Sequence, residues 1–206
     1  NSLGVQIGEG VTVLEGLASV LAKASRLHGI VPQFAVVCGE VYGQASLLAA
    51  CADFTFFLKE GVLAANSPLV ISAKSGKNLP KEEVGGADAL SATNLVGFVK
   101  DDISEIRADI IKILNVLPFC SAPVVENGSD LNAPQAALDK QCEADDLISA
   151  VFDKDTYLEI GSACAPEVRC VLGRVGGISV AAVVFDGENG VELTAQNVAK
   201  DNSFVE

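Results

Sequence analysis

Short apolar runs of strand length alternate with helical stretches along the first half of this sequence. Apolar residues recur every three or four positions over Val11–Leu27, and a His-Gly pair and a proline follow, so a helix is predicted there. The apolar runs at residues 33–38 and 53–58 are typical of strands buried on both faces. This alternation predicts a layered α/β architecture.

A loop, a strand and a second long helix are predicted next. Residues 74–83 are polar and interrupted by glycine and proline, which favours a surface loop, and residues 95–99 are typical of a strand. The helix that follows starts with a capping box of Asp102 and Glu105 and ends before Pro118.

The last third of the sequence predicts a linker and then a second α/β segment. In chain order, we expect a linker over residues 118–143, a helix over 144–152, strands over 156–160 and 178–185, and the start of a helix after residue 190. Gly173, Gly176 and Gly177 are predicted to turn the chain between the two strands.

The charge balance excludes one class of partner. The sequence has 27 acidic and 14 basic residues and a formal charge of −13, so it would repel a phosphate backbone and is not expected to bind nucleic acid. Half of the residues are apolar, which is enough for a sizeable core. Charged residues interrupt every apolar run, so we expect no membrane span.

Cysteine and histidine usage argues against a zinc site. The 6 cysteines show no paired C-x-x-C spacing and there is only 1 histidine, so a zinc site would lack ligands. The cysteines are better interpreted as reduced and mostly buried, which favours a cytoplasmic protein. A Ser-His-Asp or Cys-His site would have to use His28, which lies at a helix end, where a solvent-facing or capping role is the default interpretation.

A strand, a glycine turn and a helix at residues 33–51 form the segment that is most informative about chemistry. Gly39 and Gly43 allow a sharp turn, and a buried helix over residues 44–51 would direct free N–H groups at that turn. Such N–H groups can bind an oxyanion or a phosphate, although the local sequence alone favours a strand–helix connection without a ligand, because two glycines are common in a turn. Gly4 could bring another backbone N–H to the same site.

Several segments resemble the biotin-dependent acyl-CoA carboxyltransferases and the related decarboxylase subunits. Residues 1–10 are similar to the family's D-S-G-G-A-R-I-Q-E-G, and residues 82–87 to E-E-L-G-G-A. The further matches are 29–33 to S-G-x-I-P-Q, 38–45 to G-P-C-A-G-G-A, 52–54 to T-D-F, 129–132 to the linker between the family's two lobes, and 156–184 to the opening of the second lobe. Their order and spacing hold along nearly the whole chain, which is more specific than any single motif.

The resemblance implies a fold and a domain division. Each lobe of the family has a crotonase-type α/β fold of stacked strands and helices. Residues 1–117 would be the first lobe without its N-terminal strands, residues 118–143 the linker, and residues 144–206 the start of a second, similar lobe.

The resemblance also implies an activity. The family moves a carboxyl group between biotin, carried by a partner protein, and an acyl-CoA thioester, and it stabilises enolate charge with backbone N–H groups and no metal. The implied oxyanion donors are the N–H groups of Gly43, Gln44, Gly4 and Val5, and the implied acyl-CoA contacts are Gly39, Ala45 and Gln6. The active site lies between subunits, so a homo-oligomer, either a dimer or a trimer of dimers, is expected.

Departures from the family pattern keep two alternatives open. Leu3 replaces a glycine, Gln6 an arginine, Glu40 a proline and Gln44 the second glycine of the oxyanion turn, and residues 88–90 lack a histidine often found there. These changes fit a catalytically degenerate structural subunit, in which Glu40 would add negative charge near anionic substrates. Another crotonase-fold acyl-CoA enzyme, such as a hydratase, would need a positioned carboxylate.

Overall fold

The structure, a computed structural model, describes residues 1–118, 142–187 and 190–205 and divides into two compact units, Asn1–Ile103 and Ser104–Glu206. Both units combine strands with helices, so the predicted α/β class is confirmed. Among the described residues, no helix is long and apolar enough to cross a membrane. The predicted linker lies almost entirely at residues outside the described ranges, so the division into lobes stays a prediction.

The first unit contains short parallel strands connected by helices. Its elements are α1 (Val11–Leu27), β1 (Phe34–Val37), β2 (Glu40–Tyr42), α2 (Ala45–Ala50), β3 (Phe54–Leu58), β4 (Val62–Ala64), α3 (Pro68–Ser75), α4 (Lys81–Gly85), α5 (Ala87–Ser91) and β5 (Phe98–Lys100). Strands β1, β3 and β5 form one parallel sheet in that order, and β2 pairs in parallel with β4. No residue of α1 is fully buried, although the helix has the predicted bounds.

Aromatic packing holds the parallel sheet together. Phe34 stacks on Phe54 with ring centroids 5.2 Å apart, and Phe56 stacks on Phe98 at 4.6 Å. Both pairs face each other directly in the strand register, so the sequence of each strand specifies its partner. The buried core beside this sheet consists of Val37, Val41, Phe57, Leu63, Ala87 and Val96.

Three expectations for the first unit are wrong. The segment between Gly39 and Gly43 is not only a turn, because it includes the 3-residue strand β2, and β4 was not foreseen. The loop at residues 74–83 is shorter than predicted, because α4 already begins at Lys81. Helix α2 is not a buried helix, since only Ser46 among its residues is buried and Leu47 is 47% exposed.

The second unit is built on an antiparallel sheet. It contains most of α6 (Ile103–Val116), followed by α7 (Ala144–Val151), β6 (Leu158–Ile160), β7 (Val168–Val175), β8 (Ile178–Phe185) and α8 (Ala195–Val205). The strand order is β6-β7-β8. A buried cluster of Ile148, Phe152 and Val171 forms its core.

A two-residue glycine turn closes the hairpin between β7 and β8. Val175 pairs with Ile178, and the residues between them, Gly176 and Gly177, have φ values of 59° and 79°. This is the turn type whose twist matches antiparallel strands, and glycine adopts it without strain. The carboxylate of Asp153 accepts hydrogen bonds from both glycine N–H groups, at 3.0 and 2.7 Å.

The sequence predicted β8 with its observed bounds but missed β7. Gly173 does not turn the chain as predicted, because it lies inside β7 and pairs with Val180. A Cβ atom at this position would come within 2.5 Å of the Phe152 ring and 2.7 Å of the Tyr157 Cβ. The glycine is therefore explained by close packing in a strand.

Candidate functional site

The two glycine segments predicted to carry the site lie side by side in the first unit. The Ser2 N–H donates to the Glu40 carbonyl at 2.9 Å, and the Tyr42 N–H donates to the Ser2 carbonyl at 2.8 Å. The N-terminal segment therefore runs parallel to β2, with Ser2 opposite Val41. Because of this pairing, the N-terminal segment and β2 run side by side towards Gly4 and Gly43.

The backbones of Gly4 and Gly43 approach each other closely. Gly43 has a φ of 69° and Gly4 a φ of 105°, and a Cβ atom on Gly43 would lie 3.8 Å from the Gly4 Cα. Side chains rarely adopt such positive φ values, which is why these positions favour glycine. The structure thus brings the backbone of Gly4 next to the turn at Gly43, and the roles of Gly4, Val5, Gly43 and Gln44 as oxyanion donors stay predictions.

The backbone N–H groups at this turn differ in their availability. The Gly43 N–H donates to the Ala64 carbonyl at 3.2 Å, and the Gly4 N–H makes a long contact of 3.4 Å with the Ser2 hydroxyl. In the part of the chain that the structure describes, the N–H groups of Gln44 and Ala45 donate to no acceptor. They precede and begin α2, where the first N–H groups have no partner within the helix. Gln44 and Ala45 are therefore the open donors of the turn.

The glutamine at position 44 fits the turn without strain. Gln44 has φ −73° and ψ −18°, which is ordinary helical backbone, and its side chain is exposed. Positive φ is needed one residue earlier, at Gly43. Just beyond, the buried Ser46 hydroxyl donates to the Gly43 carbonyl at 2.6 Å and holds the start of α2 against the turn.

An open cleft of about 580 Å³ lies beside the turn. It is lined by residues 1–3 and 38–40 together with Glu60 and Lys81. Gly39 belongs to this lining, and the Asn1 side chain packs against it. Gln6, the third predicted acyl-CoA contact, is exposed and is not part of the lining.

An ion pair crosses the wall of this cleft. The Lys81 Nζ donates to the Glu40 carboxylate at 2.8 Å. The hydrogen bond to Lys81 lowers the pKa of Glu40, and the same hydrogen bond raises the pKa of Lys81. Sequence reasoning expected the charge of Glu40 but missed Lys81, because no local motif connects two residues 41 positions apart.

Tyr42 lies on the same face of β2 as Glu40. Tyr42 is buried, with 6% of the residue exposed. Burial, followed by the neighbouring Glu40 carboxylate, raises the pKa of Tyr42. The phenol therefore stays protonated and neutral beside the ion pair at neutral pH.

His28 and Arg174 have roles in stabilising the fold. The His28 ring lies 2.8 Å from the Asp53 carboxylate at the end of α1, and its side chain is 55% exposed, as its position predicted. Arg174 donates to the Asn115 carbonyl in the last turn of α6. The Ser179 hydroxyl donates to the Val116 carbonyl of the same turn. Cations and hydroxyl groups commonly satisfy the last carbonyls of a helix in this way.

Comparison with known proteins gives a consistent set of matches. The sequence model of the carboxyl transferase domain matches residues 1–206. The chain is 28% identical over 194 residues to the methylmalonyl-CoA carboxyltransferase 12S subunit of Propionibacterium freudenreichii subsp. shermanii, covering 89% of this chain and 37% of that protein. It is 27% identical to the mitochondrial propionyl-CoA carboxylase beta chain of Homo sapiens, covering 89% and 36%. The chain thus spans less than two-fifths of these relatives.

Solved structures agree. The hexameric transcarboxylase 12S structure with bound methylmalonyl-coenzyme A and methylmalonic acid matches with a TM-score of 0.77 and 28% identity, covering 90% of this chain and 38% of that one. A single-chain, multi-domain long-chain acyl-CoA carboxylase matches with a TM-score of 0.73 at 18% identity, covering 88% and 18%, which supports the fold alone.

Proposed function

The chain belongs to the carboxyl transferase domain family, and from this premise we propose that it serves the acyl-CoA side of a carboxyl transfer between biotin and an acyl-CoA thioester. The family resemblance found in the sequence is confirmed, and with it the crotonase-type α/β fold. The observation that carries the proposal is the pair of open N–H groups at Gln44 and Ala45, beside the Gly4 segment.

The proposed role of this turn follows from where charge develops on the substrate. Removing a proton or a carboxyl group from the carbon next to a thioester places negative charge on the thioester oxygen. N–H groups already directed at that oxygen stabilise the charge without reorganising. Gln44 and Ala45 would donate to it, with Val5 as a further donor, whereas the Gly43 N–H would first have to leave the Ala64 carbonyl.

Biotin, carried by a partner protein, would supply or accept the carboxyl group. The residues of this chain would hold the thioester: the open donors at its oxygen, and the cleft at Gly39 along the rest of the molecule. Backbone N–H groups would stabilise the negative charge in this proposal, so the stabilisation requires no histidine and no metal from this chain. It suits a sequence with 1 histidine, whose side chain is engaged with Asp53.

The proposal also covers the oligomeric state and the location of the protein. The matched transcarboxylase 12S structure is described as a hexamer in a multienzyme core. We infer by analogy a homo-oligomer, as a dimer or a trimer of dimers, that meets a biotin carrier protein in the cytoplasm. The direction of the reaction, as carboxylation or decarboxylation, belongs to the same proposal.

A degenerate structural subunit is the second candidate. Leu3 and Gln6 depart from the family pattern and are both exposed, and the Gly43 N–H is already engaged. Such a subunit would keep the fold and would not turn over substrate.

Two measurements on the purified subunit separate these candidates. Calorimetric titration with CoA and with malonyl-CoA tests binding, and decarboxylation of malonyl-CoA in the presence of free biotin tests turnover. Tighter binding of malonyl-CoA than of CoA, together with turnover, supports the transferase. A folded subunit that lacks turnover, and still lacks it after Gln44→Gly and Gln6→Arg, would be a structural subunit.

A further inference from the structure

The peptide group that joins Gly43 to Gln44 has an open N–H group on one side and a hydrogen-bonded carbonyl on the other. The Gln44 N–H donates to no acceptor in the described part of the chain. The Gly43 carbonyl accepts from the Ser46 N–H at 3.1 Å and from the Ser46 hydroxyl at 2.6 Å. This peptide bond is trans, so its C=O and N–H bonds lie in one plane and point in opposite directions. The direction of the carbonyl therefore sets the direction of the open N–H group.

The glycine at position 43 leaves this peptide group with little steric restraint. Gly43 has no Cβ, so the peptide group that follows it can rotate more easily than after any other residue. The peptide group before it is held by the bond from the Gly43 N–H to the Ala64 carbonyl. The peptide group after Gln44 is held by the Leu47 N–H, which donates to the Gln44 carbonyl at 3.1 Å. Ser46 supplies the hydrogen bonds that fix the peptide group between these two.

The environment of Ser46 favours a lasting bond from its hydroxyl. Ser46 is buried, with 5% of the residue exposed, so little water competes for the hydroxyl, and leaving that hydroxyl without a partner would cost free energy. A second hydrogen bond to the Gly43 carbonyl also polarises the peptide group, which makes the Gln44 N–H a stronger donor. The hydroxyl thus acts on both the direction and the strength of this donor.

We propose that Ser46 is a positioning residue, whose hydroxyl holds the Gly43–Gln44 peptide group so that the Gln44 N–H is directed at the thioester oxygen; this inference rests on the proposed function. The hydroxyl acts on the substrate through this peptide group alone. The Ala45 N–H belongs to the next peptide group, whose carbonyl accepts from the Leu47 N–H instead. Loss of the hydroxyl should therefore weaken one of the two open donors and spare the other.

The first test is Ser46→Ala, which removes the hydroxyl and keeps the backbone N–H bond to Gly43. We expect kcat for decarboxylation of malonyl-CoA by the purified subunit to fall about tenfold, as part of the roughly 10²-fold loss typical of removing an oxyanion donor. The dissociation constant of acetyl-CoA, measured by calorimetry, should change by less than about twofold, because the uncharged carbonyl of a bound thioester gains less from the donor than the oxyanion does.

A second background separates positioning from a general structural role. Gln44→Pro removes the N–H group that the Ser46 hydroxyl is proposed to direct. In that background, Ser46→Ala should change kcat by less than about twofold, because no N–H group remains to be positioned. A purely structural role of Ser46 would instead lower kcat by the same factor in both backgrounds.

Ser149 supplies the matched control. Its hydroxyl also donates to a carbonyl three residues earlier, that of Asp146 at 3.0 Å, but Ser149 is exposed and belongs to α7 of the second unit. Ser149→Ala should leave kcat unchanged. An unchanged kcat in Ser46→Ala, or an equal loss with and without Gln44→Pro, overturns the inference alone. Failure of the folded wild type to turn over malonyl-CoA overturns the proposed function, and this inference with it.

Discussion

The turn at Gly43 in the first unit and the turn at Gly176 and Gly177 in the second both place glycines at positive φ, yet they use their N–H groups differently. In the second unit the Asp153 carboxylate accepts from both glycines, at 3.0 and 2.7 Å. In the first unit the N–H groups of Gln44 and Ala45 have no acceptor among the described residues. Tight turns that expose successive N–H groups bind anionic oxygens. The chain supplies that oxygen itself at one turn and leaves the other open to a ligand.

The largest expected effect comes from removing an open donor. Gln44→Pro deletes one N–H group while proline keeps a φ close to the −73° of Gln44. Loss of one oxyanion donor typically costs about 10²-fold in turnover. We therefore expect decarboxylation of malonyl-CoA by the purified subunit to fall by about that factor, with thermal stability nearly unchanged.

Ala195→Pro is the matched control for this variant. Ala195 is the exposed first residue of α8, so proline there also removes an N–H group at a helix start, away from the proposed site. It should leave turnover unchanged. Full activity in Gln44→Pro would show that the thioester oxygen is not held at this N–H group.

Removing the internal carboxylate tests the other turn. Asp153→Ala leaves two glycine N–H groups without their acceptor, and hydrogen bonds to a charged group are the stronger kind. We expect the free energy of unfolding to fall by about 2–3 kcal/mol in urea denaturation, with thioester binding unchanged. Asp186→Ala, an exposed acid after the other end of the hairpin, should change stability by less than about 0.5 kcal/mol. Equal stability losses in both variants would contradict the proposed clamp.

Both turns need a glycine at positive φ, and replacing that glycine should lower the stability of the protein by a smaller and similar amount in each turn. Gly43→Ala and Gly177→Ala each force a side chain to positive φ, at 69° and 79°, which costs about 1 kcal/mol. Denaturation should show similar losses in both variants, and only Gly43→Ala should also weaken turnover. Gly16→Ala, in the middle of α1 with open space around its Cβ position, should instead raise stability slightly.

The smallest effect concerns the thiols of the two units. Cys51 in the first unit is exposed, whereas Cys170 in the second is buried, and burial raises the pKa of Cys170 from 9.0 to about 11. Because the folded pKa lies above the unfolded one, the stability due to the neutral thiol is intact below pH 9 and is lost as the pH rises towards 11. Iodoacetamide at pH 8 should modify Cys51 and spare Cys170 in the folded protein, as read by mass spectrometry. Equal modification of both thiols would show that the second unit opens readily.

The sequence predicted best where a single pattern decided the structure. The apolar repeat of α1 gave its bounds directly, and the run of β8 gave that strand. Prediction failed where a contact between residues distant in the sequence determined the local structure. Strands β2 and β4 have 3 residues each, too few for a pattern, and they form because they pair with each other. The Gly43 N–H donates to the Ala64 carbonyl as a result of that pairing, so this hydrogen bond could not be predicted from the sequence either.

The candidate site shows the same division. The family resemblance led to Gly4 and Gly43, whose backbones lie next to each other, and to Val5 and Gln44, which follow them in the sequence. The sequence did not point to Lys81, because its partner Glu40 lies 41 residues away and nothing in the local sequence specifies that contact. Backbone motifs can thus be predicted from the sequence, whereas the positions of the charged side chains around them depend on tertiary contacts.

Helix α1 has the predicted length but no fully buried residue, and this has a consequence for how the first unit opens. The rings of Phe56 and Phe57, by contrast, are 0% exposed in the middle of β3. Segments with little buried surface detach at low cost, so their amide protons exchange with deuterium through local opening. The amides of α1 should therefore exchange well before those of β3. We therefore expect the helix to detach while the β1-β3-β5 sheet stays assembled, without displacing the donors at Gln44 and Ala45.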